Sequence, residues 1–328
     1  MKLSVIVPIY NVSTFLSRCV ESLINQNNFQ ISESNIEIIL VNDGSTDNSQ
    51  QVIEYYVSKY SFIKGFEKQN GGLSDARNYG LKKSSGDYVW FIDSDDWISE
   101  DSFEIVFKEI SLNHLDVMEF DFYSAKENIN TGKITLRLNN FYNSIQTNVI
   151  TGVEALELYG YIVGVCYKVI RKDILIKNNL SFPLGELNED HIISYQLMRN
   201  CHKYKKLNIP LYYYYSRSNS ITNNIKNEHS IKYITDQFNN IISINNIVKN
   251  ENFSRDVVNE ILYFYTTNII FQLIKLKNRY YLFDFLRRLE NENLYPIQKY
   301  KYHNSNLKRK LFIRLINRKE LLKIFIKK

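Results

Sequence analysis

The sequence predicts an α/β fold, a mostly parallel sheet flanked by helices, followed by a helical C-terminal region. Three observations predict it. Through Asp101, short β-branched runs alternate with segments of helical periodicity. The connections between them are short and rich in Gly, Asn, Asp and Ser. From about residue 230 onward the pattern is helical, with no repeat period.

Each element follows from its residues. Leu3 to Ile9 reads as a buried strand, and Ser13 to Asn27 as a helix, since Phe15, Leu16, Cys19, Val20, Leu23 and Ile24 recur with helical spacing. Ile36 to Val41 is a second buried strand. "DGSTD" turns the chain, with Ser45 or Thr46 suited to cap a helix running to about Tyr60. Ile63 to Phe66 forms a short third strand. "NGGLSDARNYGLKKSSG" predicts a Gly-rich loop, a helix opened by Ser74 or Asp75, and a stop at Gly86. Tyr88 to Ile92 is a fourth strand that ends on aspartates. Repeated β-α-β units imply a parallel sheet covered on both faces.

Further on the pattern loosens. Ser102 to Asn113 reads as a helix, Asp116 to Ser124 as a strand, and residues 128–148 as polar and turn-rich. Thr151 and Glu154 form a capping-box pair for a helix to Tyr159. Val165 to Ile170 is a strand, residues 189–200 a helix, and "IPLYYYYSR" a strand that ends on Arg217.

The 328 residues suffice for one large domain or two ordinary ones. Cys19, Cys166 and Cys201 lack paired spacing, which suits a reducing compartment and disfavours a metal or redox motif built from them. "MKLSVIVPIYN" is broken too early by Pro8 and Asn11 to read as a signal peptide, and no run approaches a membrane span. Ile261 to Ile274 reads as a core helix instead. The net charge is +6, but residues 301–328 hold ten Lys/Arg against Glu320, so the body is close to neutral and the tail strongly basic.

In an open parallel sheet, ligands collect outside the carboxyl ends of the strands. Tyr10 and Asn11 follow the first strand, Asn42, Asp43 and Gly44 the second, and Asp93, Ser94, Asp95 and Asp96 the fourth. An aromatic ring, a lone carboxylate and a carboxylate cluster therefore come to one edge. The cluster can grip a metal, cap a helix or end a strand in solvent. No G-x-G-x-x-G follows the first strand and no Walker A loop is present, which disfavours a dinucleotide dehydrogenase or P-loop NTPase.

The motifs "VIVPIYN", "VNDGSTD", "NGGLSDARNYGL" and "FIDSDD", followed by "NEDH" and "YSRSNSIT", extend from residue 3 to about 222. In that order and spacing the chain resembles the family-2 inverting glycosyltransferases of GT-A (Rossmann-like) fold that build bacterial capsular or lipopolysaccharide glycans. The resemblance implies a catalytic domain over 1–222, with a nucleotide-sugar half to 100 and an acceptor half from 101, and a helical region over 223–328. It implies a UDP-sugar donor, with Tyr10 against the uracil face and Asp43 accepting the uracil N3–H. The alternative for Asp43 is an Asx turn or a helix cap within "DGSTD". Asp93 would bind the ribose hydroxyls and Asp95 would be the D-x-D ligand of Mn²⁺ or Mg²⁺, which neutralises the departing diphosphate. Asp96 would help bind the donor sugar or cap the helix near Ser99. Pro8, Asn11, Gly72 and Ser94 complete the implied nucleotide-sugar contacts, and Arg77 would reach the diphosphate or hold the D-x-D loop through a carboxylate pair.

Inversion needs a base opposite the leaving group. In "LNEDHIISYQL" the resemblance places it at Asp190, with Glu189 beside it; both acids also suit a helix N-terminus. His191 is the lesser candidate. Arg217 would fold over the diphosphate with Ser220, or lie on the surface. The tail has Leu311, Phe312, Leu315, Ile316, Leu322 and Phe325 on one side of a basic helix. It reads as a peripheral anchor to the inner face of the cytoplasmic membrane, docking onto the chain's own domain or a partner being the alternative. The acceptor would be a lipid-linked or growing glycan; no nucleic acid is implied, and a homo-oligomer stays open. A nucleotidyltransferase and an inactive glycan-binding or scaffold subunit are the competing functions.

Overall fold

Strand β1 (Leu3–Ile9) is buried at every position because helices cover both faces of the sheet around it. The computed structural model describes residues 1–128, 131–139, 148–160, 163–216, 227–249, 255–276, 278–297 and 307–318. Contacts divide the chain into two units, Met1–Asn224 and Ile225–Lys328.

In the first unit β1 pairs in parallel with β2 (Ile36–Asn42) and β4 (Tyr88–Phe91), and β2 with β3 (Ile63–Glu67). Alternation sends Leu3, Val5, Val7 and Ile9 to one face, against α1 (Ser13–Ile24), α2 (Ser49–Lys59) and α4 (Ser102–Asn113). Ile6 faces α3 (Leu73–Lys83) instead. That helix lies so close that a Cβ on Gly80 would stand 2.4 Å from Ile6 Cγ2.

The second half is antiparallel at the join. β8 (Lys168–Arg171) runs against both β4 and β6 (Val117–Glu127), and β9 (Tyr204–Tyr215) runs parallel to β6. Two reversals restore the direction, so β1, β2, β4, β6 and β9 all present their carboxyl ends at one edge. The sheet order is β3-β2-β1-β4-β8-β6-β9-β5, with the two-residue β5 (Trp97–Ile98) against β9 and β7 (Ile134–Asn139) against β6. Outside the sheet, α5 (Gly152–Tyr159) packs on α7 (Asp190–Arg199), and α6 (Lys172–Lys177) follows β8.

Several expectations need correction. Part of the segment expected to be turn-rich, 128–148, is β7, a strand paired with the last six residues of β6. Ser45 and Thr46 do not cap α2, which starts at Ser49. They are drawn across to the first loop: Asn11 N–H donates to Ser45 Oγ (3.1 Å), and Thr46 N–H donates to Asn11 Oδ1 (2.8 Å). Asp47 takes over the helix starts, accepting from Ser13 N (2.9 Å) and Ser49 N (3.0 Å). Neither Ser74 nor Asp75 caps α3. Its N-cap is Gly72 at φ 88°, and Asp75 pairs with Lys68 at 2.5 Å. The Thr151–Glu154 capping box is formed.

In the second unit α8 (Asn227–Lys249) packs on α9 (Arg255–Lys275), and α9 on α10 (Arg279–Asn291). The core stretch expected over Ile261 to Ile274 lies within α9. Among the described residues no helix is long and apolar enough to cross a membrane. α11 (Leu307–Ile316) is tied down by Tyr295, whose hydroxyl donates to Ile316 O at 2.7 Å, and by bonds between Asn317 and the Ile297 backbone at 2.8 and 2.9 Å. Ile313 and Ile316 are buried and Leu311 is exposed, so the face turned inward is not simply the one expected from the tail pattern. Leu322 and Phe325 lie outside the described residues.

Candidate active site

The polar residues that end β1, β2 and β4 meet at the carboxyl edge of the sheet, each placed by local chemistry. Tyr10 leaves the buried Pro8–Ile9 segment and is 52% exposed, an aromatic ring free to take a flat partner. Asn11, at φ 51°, stitches this loop to the β2–α2 loop as described above.

Asp43 is 2% exposed and its carboxylate organises the next loop. Oδ1 accepts from Lys68 Nζ (2.6 Å) and Gly71 N (3.0 Å), and Oδ2 from Gly72 N (2.8 Å). Asn70 Nδ2 donates to the Asp43 carbonyl at 2.9 Å. The positive φ of Gly72 is what turns its N–H to that carboxylate. Lys68 bridges Asp43 and Asp75; burial works against its charge, and the two carboxylates outweigh that and raise its pKa.

The carboxylate cluster divides. Asp93 and Asp95 are partly exposed, while Asp96 and Ser94 are buried. Asp96 Oδ2 accepts from Tyr212 Oη (2.6 Å) and Oδ1 from Tyr215 N (2.7 Å). Burial, then repulsion from Asp95 and Asp93, raises its pKa well above the ordinary value. It therefore fastens the loop to β9, and does not cap the helix near Ser99; α4 begins at Ser102 after Asp101. Asp93 N–H donates to the same Tyr212 oxygen at 3.2 Å.

Arg77 joins the cluster to the second half of the unit. Its guanidinium donates through Nη2 to Asp93 Oδ1 at 2.7 Å and through Nη1 to Glu189 Oε1, 5.3 Å above the Phe182 ring. Burial acts to lower its pKa, but Asp93, Glu189 and Asp190 outweigh it and raise it. Asn78, one residue on, exchanges hydrogen bonds with the Phe182 backbone at 2.8 and 2.9 Å, docking the segment before α7 onto α3.

Asp190 is the first residue of α7 and remains partly exposed. Burial and the Asp93 charge raise its pKa although Arg77 and Lys168 lower it. Glu189 is raised by burial and by Asp190, against Arg77. His191 is buried and pushed down to about 4, so its ring is neutral near pH 7. Arg217 and Ser220 lie outside the described residues.

Lys68 and Arg18 escaped sequence reasoning. Lys68 directly follows β3 and the strand-end rule finds it. Arg18 carries no such signal: from α1 its guanidinium sits 4.1 Å from the Trp97 ring and 4.3 Å from the Tyr215 ring and donates to the Asp95 carbonyl at 2.9 Å.

Among the described residues no group of three His, Cys, Asp or Glu stands ready to hold a metal by itself. Asp95 and Asp93 nonetheless offer oxygen donors at one strand end. A hard divalent ion that fills its shell with phosphate and water needs only one or two carboxylates, so the donor set fits such an ion.

Comparison with known proteins supplies the family. The model described as Glycosyl transferase family 2 matches residues 4–174. Glycosyltransferase GlyA of Streptococcus pneumoniae serotype 4 is 34% identical over 224 residues, 67% of this chain and 31% of that protein. The uncharacterized glycosyltransferase EpsJ of Bacillus subtilis is 32% identical over 222 residues, 67% of this chain and 62% of its own length. The chain thus spans less than two thirds of either relative. In fold, it is similar to S. aureus TarS 1–349, solved in complex with UDP-GlcNAc, at a TM-score of 0.69 and 21% identity over 89% of this chain and 81% of that one. A Pyrobaculum calidifontis mannosyltransferase in complex with GDP-Man and Mn²⁺ shares the fold at TM-score 0.56 and 11% identity, over 99% of this chain and 81% of that one.

Proposed function

This chain belongs to glycosyl transferase family 2, and on that premise we propose that it moves one hexose or N-acetylhexosamine from a UDP-sugar to a lipid-linked or growing cell-surface glycan, with inversion. The observation that carries the reading is the linkage Asp93–Arg77–Glu189, which brings Asp190 to the carboxylate loop from the other half of the unit.

The donor would lie across the ends of β1, β2 and β4. Tyr10 supplies an exposed ring for the base. Asp43 shapes the loop beneath it and keeps lone-pair capacity on Oδ2 for one more donor, such as a ring N–H. TarS, the structural neighbour above, binds UDP-GlcNAc, which favours a uridine donor here. Asp95 would hold Mn²⁺ or Mg²⁺, with Asp93 beside it for the ribose hydroxyls, and when bound the ion supplies charge neutralisation for the departing diphosphate.

In the transfer the acceptor hydroxyl oxygen bonds to the anomeric carbon as the bond to the diphosphate oxygen breaks. Asp190 takes the hydroxyl proton. A carboxylate whose pKa is raised is a better proton acceptor, and its partial exposure leaves it accessible. Arg77 holds the two carboxylate groups flanking that event and balances their charge. The basic segment 301–328 would bind the anionic inner face of the cytoplasmic membrane, where a lipid-linked acceptor is presented.

Asp190→Asn tests the reading. Transfer should stop while Mn²⁺-dependent UDP binding, followed by calorimetry, persists. A variant that still turns over removes Asp190 as the base.

A further inference from the structure

One face of the sheet beside the carboxylate loop carries a row of side chains that the donor chemistry does not use. The register places Trp97 of β5 opposite Tyr213 of β9, Tyr213 opposite Tyr123 of β6, and Tyr123 opposite Leu138 of β7. Trp97 and Tyr213 stack at 5.2 Å and 7°, and Tyr213 and Tyr123 at 5.3 Å and 25°. Two residues along β7 in each step, Leu136 and Ile134 extend the same face; with Leu138 they are 46%, 38% and 47% exposed. Across four strands the row spans roughly 14 Å.

Its place and its charge say what it would receive. The row starts two residues beyond Asp95, and Arg18 ties it to that loop, packing on Trp97 while donating to the Asp95 carbonyl. β6 and β9 end at the same edge as β1, β2 and β4, so the row adjoins the candidate active site directly. Alternation sends Lys126 and Arg137 to the opposite face of the β6–β7 pair. On this face Glu127 accepts from the Tyr215 hydroxyl and the Glu100 charge bears on Tyr213, while the cation Arg18 packs on Trp97 and Tyr215 and donates to the Asp95 carbonyl. Two acids against one cation already engaged by the Asp95 carbonyl make no basic cluster of the kind that holds an anionic lipid surface or a polyphosphate. Phenol hydroxyls interleaved with ring edges and leucines instead match neutral pyranose rings, which present both hydroxyls and apolar C–H surfaces. The ring stack is already packed on itself, so little side-chain freedom remains to be lost on binding.

We propose that the Trp97–Tyr213–Tyr123–Leu138 row, extended by Leu136 and Ile134, is the acceptor platform, binding a neutral saccharide chain that leads to the transfer site. The proposal rests on the glycosyltransferase reading above and names the chemistry of its acceptor.

Trp90 and Trp97 are the only two tryptophans, and Trp90 is fully buried, so emission changes report on Trp97. The full chain is titrated with neutral tetrasaccharides of glucose, galactose, N-acetylglucosamine and rhamnose, and separately with phosphatidylglycerol vesicles. At least one tetrasaccharide should shift the emission saturably. Tyr123→Ala/Leu138→Ser should weaken that binding by about tenfold or more, the loss of one to two apolar contacts. Release of UDP from UDP-sugar without acceptor should stay unchanged. The single variant Leu138→Ser, on an exposed edge strand, guards against misfolding and should weaken binding in the same direction. No response to any tetrasaccharide, response only to vesicles, or equal binding by the variants overturns the platform. If Mn²⁺-dependent UDP binding is itself absent, the donor reading fails instead, and the two failures are told apart.

Discussion

Arg77→Met removes the cation that Asp93 and Glu189 share. Arg77 is 3% exposed, with Asp93 2.7 Å away and Glu189 on its other amino group. Removing one partner of a buried ion pair costs about 3–5 kcal/mol, because the remaining charge is stranded. Asp93 is partly open to water and its share is discounted; Glu189, nearly buried, carries most of the loss. About 3 kcal/mol is therefore expected, which lowers the melting temperature by roughly 6–12 °C in a unit of this size. Thermal unfolding followed by circular dichroism measures it. The double variant Arg77→Met/Glu189→Gln no longer strands a charge there and should regain about 1–2 kcal/mol. Arg77→Lys keeps one charge but cannot fork to both carboxylates, so turnover should fall at least tenfold with a smaller stability loss. Melting of Arg77→Met at the wild-type temperature, or a further loss on adding Glu189→Gln, would refute the clamp.

Other perturbations address separate parts of the unit. Burial alone would raise the pKa of Glu37, but bonds from Lys64, Ser4 and Ser85 hold it down at about 2 against an ordinary 4.5. Its contribution, about 3 kcal/mol, is present above pH 4.5 and is lost as pH falls toward 2. Glu37→Gln should flatten denaturant stability across that window, and an unchanged slope would exclude the role. Asp96 has the opposite sign: its raised pKa makes the neutral form the stable one, so stability falls as pH climbs from its ordinary 3.8 through the folded value. Asp96→Asn should remove that dependence and retain the fold. Asp96→Ala, which strands Tyr212 Oη and Tyr215 N, should lose about 2 kcal/mol in urea unfolding. Gly80→Ala pushes a methyl into Ile6 and should cost about 1–3 kcal/mol by the same measurement.

Most of the first hundred residues is legible in the chain. The buried runs at Leu3–Ile9 and Ile36–Asn42 and the helical spacing of α1 report a local period that the fold keeps. Strand ends are equally local, which is why Tyr10, Asp43 and Asp93–Asp96 can be singled out beforehand. Legibility fades where partners are remote. Helix starts are hidden from the local pattern because Ser45, Thr46 and Asp75 bond across loops to Asn11 and Lys68 and not to their own helices. β7 carries a period-2 alternation at Ile134, Leu136 and Leu138 that argues a strand, but it is short and set within a polar stretch, so the surrounding composition hides it.

Residue type and near-neighbour spacing carry the alternation of strands and helices and the polar groups offered at one edge, and the order of the motifs carries the resemblance to the family. Tertiary structure decided which groups are used for what. Asp96 is spent on Tyr212 and Tyr215, 116 and 119 residues away, and Arg77 meets Glu189 across 112 residues. Such pairings depend on how two reversals of strand direction bring β9 to the loop that follows β4, and α7 to Arg77 of α3. No local pattern encodes that return; only the burial of a charge beside its partner reveals it.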